Sequence, residues 1–346
     1  MFLLHLIRKF LSGKKKVPVI TKYTSNATLQ TVMRDWKGTP LDQDGLFINH
    51  EFPTVIDYKA IVKFLFQRNP QRQVKKRDTW HITVLKDDAW LHSKQDMIAW
   101  LGHASFFIQL SGIRMLIDPV FGKLPVGKRF SELPVAPDQL LNINYILVSH
   151  AHYDHCDKKS LQLLAENNSG SEILCGLKLD TLIRKWASNP IQTAGWYQQF
   201  DLKDLKITFL PSRHWANRSI VDVNTTLWGG FMIQQGNKCI YYSGDSGYGS
   251  HFNDIGKLFP SIDVALIGAG AYAPTWFMSP HHQDPRHALK ASHDTRAKVF
   301  IPFHYGTFDS ADEPMGEPEQ ILNRLAEEGE VKNQLKILKL GEMYAI

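Results

Sequence analysis

The 346-residue sequence predicts an α/β fold, one layered sandwich preceded by an amino-terminal extension. Three observations carry that expectation. From Met97 onward, short β-branched and aromatic runs alternate with longer amphipathic stretches, the pattern of strands interleaved with helices. Gly236-Asn237 separates two apolar runs, Leu227 to Gln235 and Lys238 to Ser243, and so marks a hairpin. Several apolar runs also end in clusters of His, Asp and Gly, which puts chemistry-bearing residues at strand ends. Length alone would permit two or three domains, but a single sandwich with an extension accounts for the chain equally well.

In chain order, Met1 to Lys16 (MFLLHLIRKFLSGKKK) has apolar residues at helical spacing beside Arg8, Lys9 and a lysine triplet. This amphipathic helix lies either on an anionic membrane face or on the protein's own core. It lacks the charge order and cleavage site of a secretory signal, and its apolar run is too short to span a bilayer. A helix over Ile56 to Gln67 and the polar, basic stretch from Asn69 to Arg72 complete an extension over residues 1–77, wrapped on a main domain of residues 78–346. Strands are predicted at Ile98 to Leu101, Ser105 to Leu110, Arg114 to Ile117, Tyr145 to Val148, Glu172 to Cys175, Leu205 to Leu210, Asp263 to Ile267, Val299 to Pro302 and Leu335 to Leu340. Helices are predicted from Asp157, which caps its own helix, and around Leu177 to Trp186, Pro285 to Asp294 and Pro318 to Glu327.

A hydrophobic fraction of 43% with 21% charged residues belongs to a folded globular chain and excludes wholesale disorder. The net charge of +6 favours anionic partners. Most of the excess lies in Lys14-Lys15-Lys16 and between Arg68 and Arg77, away from the His-rich stretches, and no nucleic-acid module is present, so nucleic acid is not an expected partner. Cys156, Cys175 and Cys239 are odd in number and lack C-x-x-C spacing, which argues against a disulfide framework or a cysteine zinc site and for a reducing compartment.

The stretch Ser149-His150-Ala151-His152-Tyr153-Asp154-His155 directly follows the strand Tyr145 to Val148. Alternation along an extended backbone sends His150 and His152 to one side, and the following turn can present Asp154 and His155 to a second position. One loop can therefore serve two metals. Imidazole and carboxylate donors without thiolate suit zinc first, with iron or manganese behind it. Three more polar groups follow apolar runs: His214, Asp245 and His304.

These stretches carry a resemblance. WLGHAS at Trp100 to Ser105, IDPVF at Ile117 to Phe121, SHAHYDH at Ser149 to His155, PSRHWANRS at Pro211 to Ser219, LWGGF at Leu227 to Phe231, SGDSGY at Ser243 to Tyr248, GAYAPTWFM at Gly270 to Met278 and HYGTF at His304 to Phe308 are similar to those of a metallo-β-lactamase-fold hydrolase. More closely, the chain resembles the N-acylphosphatidylethanolamine-hydrolysing phospholipase D family over residues 97–346. The H-x-H-x-D-H loop specifies only the superfamily; the HW, GAY-x-P-x-WFM and H-x-GTF stretches are narrower.

The resemblance implies a four-layer αββα sandwich of two mixed sheets with helices outside. It implies one zinc held by His150, His152 and His214, a second by Asp154, His155 and His304, and Asp245 bridging both. Such cations lower the pKa of bound water to about 7, which supplies hydroxide at neutral pH for attack on a phosphodiester. Asp154, Asp245 and His282 are the residues it assigns to catalysis, Tyr153 and His282 contact substrate, and Asp118 orients a ligand imidazole. His103 reads either as a group behind a ligand or as a buried, satisfied histidine.

The expected activity is hydrolysis of N-acylphosphatidylethanolamine to an N-acylethanolamine and a phosphatidic acid. The alternative is a lactonase or a hydrolase of a soluble phosphorylated metabolite. Purely structural zinc fits poorly, because structural sites are four-coordinate and closed. The expected partners are a phospholipid or other phosphodiester, with peripheral membrane contact through residues 1–16; a homodimer is compatible with the sequence. The expected location is cytoplasmic, at the inner face of a membrane.

Overall fold

The computed structural model describes residues 18–51, 58–125, 128–219 and 221–346. The helix expected over residues 1–16 lies outside them. In chain order the strands are β1 (Lys22–Thr24), β2 (Gln30–Thr31), β3 (Thr39–Leu41), β4 (Met97–Gly102), β5 (Ser105–Leu110), β6 (Ile113–Ile117), β7 (Tyr145–Val148), β8 (Glu172–Gly176) and β9 (Ile191–Ala194). They continue with β10 (Gln198–Gln199), β11 (Lys206–Leu210), β12 (Gly230–Gln235), β13 (Lys238–Tyr242), β14 (Val264–Gly268), β15 (Val299–Phe303), β16 (Gln334–Leu335) and β17 (Met343–Ala345).

Two mixed sheets result. One runs β17-β4-β5-β6-β7-β8-β9, the other β16-β15-β14-β13-β12-β11-β10-β2, and β1 pairs with β3 separately. Each sheet joins an antiparallel half to a parallel half. In the first, pairing is antiparallel from β17 to β6 and parallel from β6 to β9. In the second it is antiparallel from β2 to β13 and parallel from β13 to β16. Parallel neighbours need crossovers, and helices Lys158–Asn167, His251–Leu258, Pro285–Asp294 and Glu317–Glu327 supply them on the outer faces. This is the αββα layering that the resemblance implies.

Alternation on β5 shows how the layers lock. Phe106 points between the sheets, with ring centroids 6.2 Å from Tyr242 on β13 and 5.6 Å from Phe303 on β15. Its neighbour Phe107 faces the other way and meets Trp90 at 5.1 Å. Strands β4 and β5 are buried along their whole length, as strands covered on both faces must be.

The strong local signals appear in the structure. β7 spans Tyr145–Val148, the hairpin turns at Gly236 with φ +57°, and Asp157 caps its helix by accepting from the Ser160 N–H. The run Leu335 to Leu340, expected as one strand, is a correction. Only Gln334–Leu335 pairs with β15; Leu340 then donates its N–H to the Thr83 carbonyl, and the chain crosses to add β17 to the other sheet. The strand expected from Leu227 begins at Gly230, because the Leu227 and Gly229 N–H groups donate to Leu177 and Ser149 carbonyls instead. Strands β9, β10 and β17, of two to four residues each, are too short to show a period, and helix His251–Leu258, though amphipathic through Phe252 and Ile255, spans only two turns and is not among the expected helices. Residues 18–51 are built into the same body: β2 extends the second sheet, and Asn49 is buried.

Replacing Phe106 with Ala is expected to cost about 3–5 kcal/mol of unfolding free energy. Denaturant unfolding of the purified variant checks this, and a loss below about 1 kcal/mol would show that the sheets do not interlock through this ring.

Candidate metal centre

The polar residues converge because each follows a strand whose end points to the same edge of the sandwich. The loop after β7 supplies His150, His152, Asp154 and His155; His103 sits in the β4–β5 turn, and Asp118, His214, Asp245 and His304 follow β6, β11, β13 and β15. Three of them, His103 (φ +50°), Asp118 (φ +41°) and His304 (φ +74°), hold the left-handed backbone that non-glycine residues rarely adopt. Gly244 has φ +58° as well, and a Cβ there would lie 2.4 Å from the Gly229 carbonyl oxygen. Only glycine permits that approach, which sets Asp245 at the centre.

Two groups of donors form. His150 Nε2 and His152 Nδ1 stand 2.9 Å apart, and His152 Nδ1 lies 3.1 Å from His214 Nε2. On the other side His155 Nε2 lies 3.3 Å from His304 Nε2, with Asp154 Oδ2 at 3.8 Å and 3.7 Å from these two nitrogens. Asp245 stands between the groups. Its Oδ2 is 3.1 Å from His155 Nε2, 3.8 Å from His214 Nε2 and 4.0 Å from His150 Nε2, while Oδ1 is 3.1 Å from His304 Nε2. Donors bound at about 2.0–2.1 Å around a tetrahedral ion are spaced about 3.3 Å apart, so these clusters fit a metal site.

Electrostatics agree with the geometry. Burial, reinforced by neighbouring imidazoles, holds His150 and His214 well below the usual histidine range, and burial lowers His152 to about 4. Those three are neutral at pH 7, the state that ligates. Burial would also lower His155, but Asp245 and Asp154 raise it well above its usual value. Conversely, burial would raise Asp154 and Asp245, yet His155 and its neighbours hold both carboxyls well below the usual range. The buried carboxylates therefore draw a positive charge into the cluster, a proton or a metal ion.

A surrounding set of hydrogen bonds orients the imidazoles. Asp118 is fully buried and accepts from His155 Nδ1 at 2.8 Å, Tyr242 OH at 2.6 Å, Ser149 Oγ at 2.5 Å and the Ser149 N–H at 2.7 Å. Ser149 Oγ in turn lies 2.9 Å from His150 Nδ1. One carboxylate thus fixes an imidazole in each group, leaving both Nε2 atoms toward the centre. His214 Nδ1 lies 3.0 Å from the His281 carbonyl, and its backbone exchanges hydrogen bonds with the Asn49 side chain at 2.9 Å and 3.2 Å. His103 Nε2 sits 2.9 Å from Asp154 Oδ2, and burial lowers its pKa to about 3, so it acts as a neutral donor behind that carboxylate.

Of the other sequence-predicted residues, His282 reaches the cluster, with Nδ1 3.8 Å from Asp245 Oδ2; burial lowers its pKa to about 4. Tyr153 is 41% exposed on the rim, where its hydroxyl donates to the Arg218 carbonyl at 3.2 Å. Asn49, Tyr242 and the His281 carbonyl were not read from the sequence. They belong to apolar or distant stretches whose contribution exists only after folding.

Residues 113–305 match the model of the beta-lactamase superfamily domain. The chain belongs to the beta-lactamase superfamily. It is 30% identical over 277 residues to the N-acyl-phosphatidylethanolamine-hydrolyzing phospholipase D 1 of Caenorhabditis elegans, covering 73% of this chain and 75% of that one. A mitochondrial protein of the same description from Saccharomyces cerevisiae is also 30% identical, over 70% of this chain; the match spans 54% of that longer protein. A metal-dependent hydrolase of Aeropyrum pernix is 28% identical over 71% of this chain and 96% of its own. Among solved structures, Igni18, a metallo hydrolase of Ignicoccus hospitalis, matches with a TM-score of 0.55 and 23% identity, covering 73% of this chain and 98% of that one. This chain is a member of a metal-dependent hydrolase family.

Asp118→Asn presents an amide donor to groups that already donate, and is expected to weaken metal affinity by about 10- to 100-fold. Competition against a chromogenic chelator measures this. Unchanged affinity in the folded variant would remove Asp118 from the account.

Proposed function

We propose that the chain is a di-zinc phosphodiesterase of the phospholipase D type, which hydrolyses N-acylphosphatidylethanolamine to an N-acylethanolamine and a phosphatidic acid. The observation that carries this reading is the Asp245 carboxylate, within 4.0 Å of imidazole nitrogens from both donor groups. His150, His152 and His214 would hold one ion and Asp154, His155 and His304 the other, with Asp245 within reach of both. Nitrogen and oxygen donors without thiolate favour zinc, and all three cysteines are buried and free. Bound there, the cations supply a water activated at neutral pH and neutralise phosphate oxygens.

The reaction adds the elements of water across a phosphorus–oxygen bond. Hydroxyl joins phosphorus to give the phosphatidic acid, and the proton goes to the departing ethanolamine oxygen. Asp154 and Asp245 would repel an anionic phosphodiester unless their charge were neutralised, so substrate binding depends on the loaded centre. His282, neutral and beside Asp245, donates a hydrogen bond to the reacting phosphate. Tyr153, exposed on the rim, contacts the acyl-amide end.

A lipid substrate is supported by the 30% identity to relatives described as acting on this phospholipid. It is also supported by the aromatic segment before His281 and His282. A cluster that merely closed the core would be buried, yet no residue of Thr275–Met278 is, and Trp276 is 40% exposed with Lys63 Nζ 4.2 Å from its ring centroid. Phe277 stacks on Phe64 of helix Tyr58–Phe66 at 4.4 Å, and Phe66 on that helix is 76% exposed. Exposed aromatics flanked by lysines suit an anionic bilayer surface. They form a peripheral membrane contact at the cytoplasmic face, and the apolar and basic sequence of residues 1–16 suits the same kind of surface. Among the described residues, no helix is long and apolar enough to cross a membrane.

The test compares N-acylphosphatidylethanolamine in anionic vesicles, a simple phosphodiester and a sugar-phosphate lactone as substrates for metal-loaded protein. The phospholipid is expected to give the highest kcat/KM, and Asp245→Asn to lower it more than about 100-fold, beyond the range of groups that only support a ligand. Turnover of the lactone alone would replace this reading with that of a soluble-metabolite hydrolase.

A further inference from the structure

The loop that carries four of the donors is held from one side by a single guanidinium. Arg218 Nη1 donates to the Ala151 carbonyl at 3.0 Å and to the Cys156 carbonyl at 2.7 Å. Ala151 and Cys156 are both buried, and they bracket His152, Tyr153, Asp154 and His155. Within the bracket the chain turns tightly, with the His155 and Cys156 N–H groups both donating to the His152 carbonyl. That turn satisfies its own interior but leaves the two flanking carbonyls to Arg218. Buried carbonyls need partners, and this nitrogen serves both.

The same side chain is fixed on its faces. The guanidinium carbon lies 3.7 Å from the Tyr153 ring centroid and 5.2 Å from that of Trp186. Tyr153 closes the arrangement by donating its hydroxyl to the Arg218 carbonyl. The backbone of Arg218 is itself held, because its N–H and that of Ser219 donate to Asp222 Oδ1 at 3.0 Å and 2.8 Å. A planar, forked cation can stack on a ring and donate in its own plane at once; a lysine ammonium cannot.

We propose that Arg218 is a positioning residue for the metal centre: its guanidinium clamps both ends of the donor loop and sets Tyr153 on the rim. The clamp couples two properties that the loop alone would leave independent. Loss of Arg218 frees His152, Asp154 and His155 to splay, which loosens one donor from the first group and two from the second. It also releases Tyr153 from its stacked position, so substrate contact weakens along with metal retention. The inference rests on the metal-centre reading of this cluster.

The experiment compares wild type, Arg218→Lys and Arg218→Ala as full chains loaded with zinc. Metal remaining after timed exposure to a chelator is measured with and without added guanidinium chloride at about 20 mM, far below denaturing concentrations, and circular dichroism checks that each variant is folded. Both variants are expected to lose metal about 10- to 100-fold faster, the range for groups that support ligands. Guanidinium is expected to restore retention in Arg218→Ala, and sodium chloride at equal strength is not. If Arg218→Ala does not fold, Arg218→Lys keeps the charge while lacking the fork, and its metal loss decides the matter. Equal retention by wild type and a folded variant overturns the role of Arg218 and leaves the metal centre standing; a wild-type chain that retains no zinc overturns both. Faster loss without guanidinium rescue in a folded Arg218→Ala variant also counts against the clamp, since it would point to general loosening.

Discussion

The buried carboxylate of Asp118 is the constraint on which the site depends. It receives His155 directly and His150 through Ser149, so one anion sets the tautomer and direction of an imidazole in each donor group. Tyr242 spans from the opposite sheet to the same oxygen, which ties the carboxylate to the interface between the layers. The rigidity of the sandwich core is thereby passed to the donor atoms. Packing of Phe106, Tyr242 and Phe303 and the aim of His155 are parts of one construction.

That construction concentrates charge that the protein alone does not balance. Two carboxylates, Asp154 and Asp245, remain ionised despite burial because imidazoles face them, and they pull His155 toward its protonated form. A cluster in this state is stabilised by whatever cation enters it. Metal-dependent hydrolysis is the chemistry of the family to which the chain belongs.

The clustering of the candidate donors was legible in the sequence because each stands after an apolar run, and strand ends are the parts of an α/β fold where a residue's neighbours in space are other strand ends. His150, His152, Asp154, His155, His214, Asp245 and His304 are drawn together in that way. Their supports were less legible. Asn49 lies 165 residues before the His214 backbone it holds, and nothing in its local sequence distinguishes it from a loop asparagine. His103 was open between two readings until its left-handed backbone placed Nε2 against Asp154. The chain's end was misread for a related reason. Leu335 to Leu340 has the composition of one strand, but its hydrogen bonds are divided between partners that only the tertiary structure brings near.

The central claim is that two metal ions share the Asp245 carboxylate. Anomalous diffraction at the zinc absorption edge, from crystals of protein purified without chelator, tests it most directly. The account predicts two anomalous peaks about 3.5–4 Å apart, one among His150, His152 and His214 and one among Asp154, His155 and His304, with Asp245 between them. A single peak, or peaks that leave Asp245 uncoordinated, would contradict it.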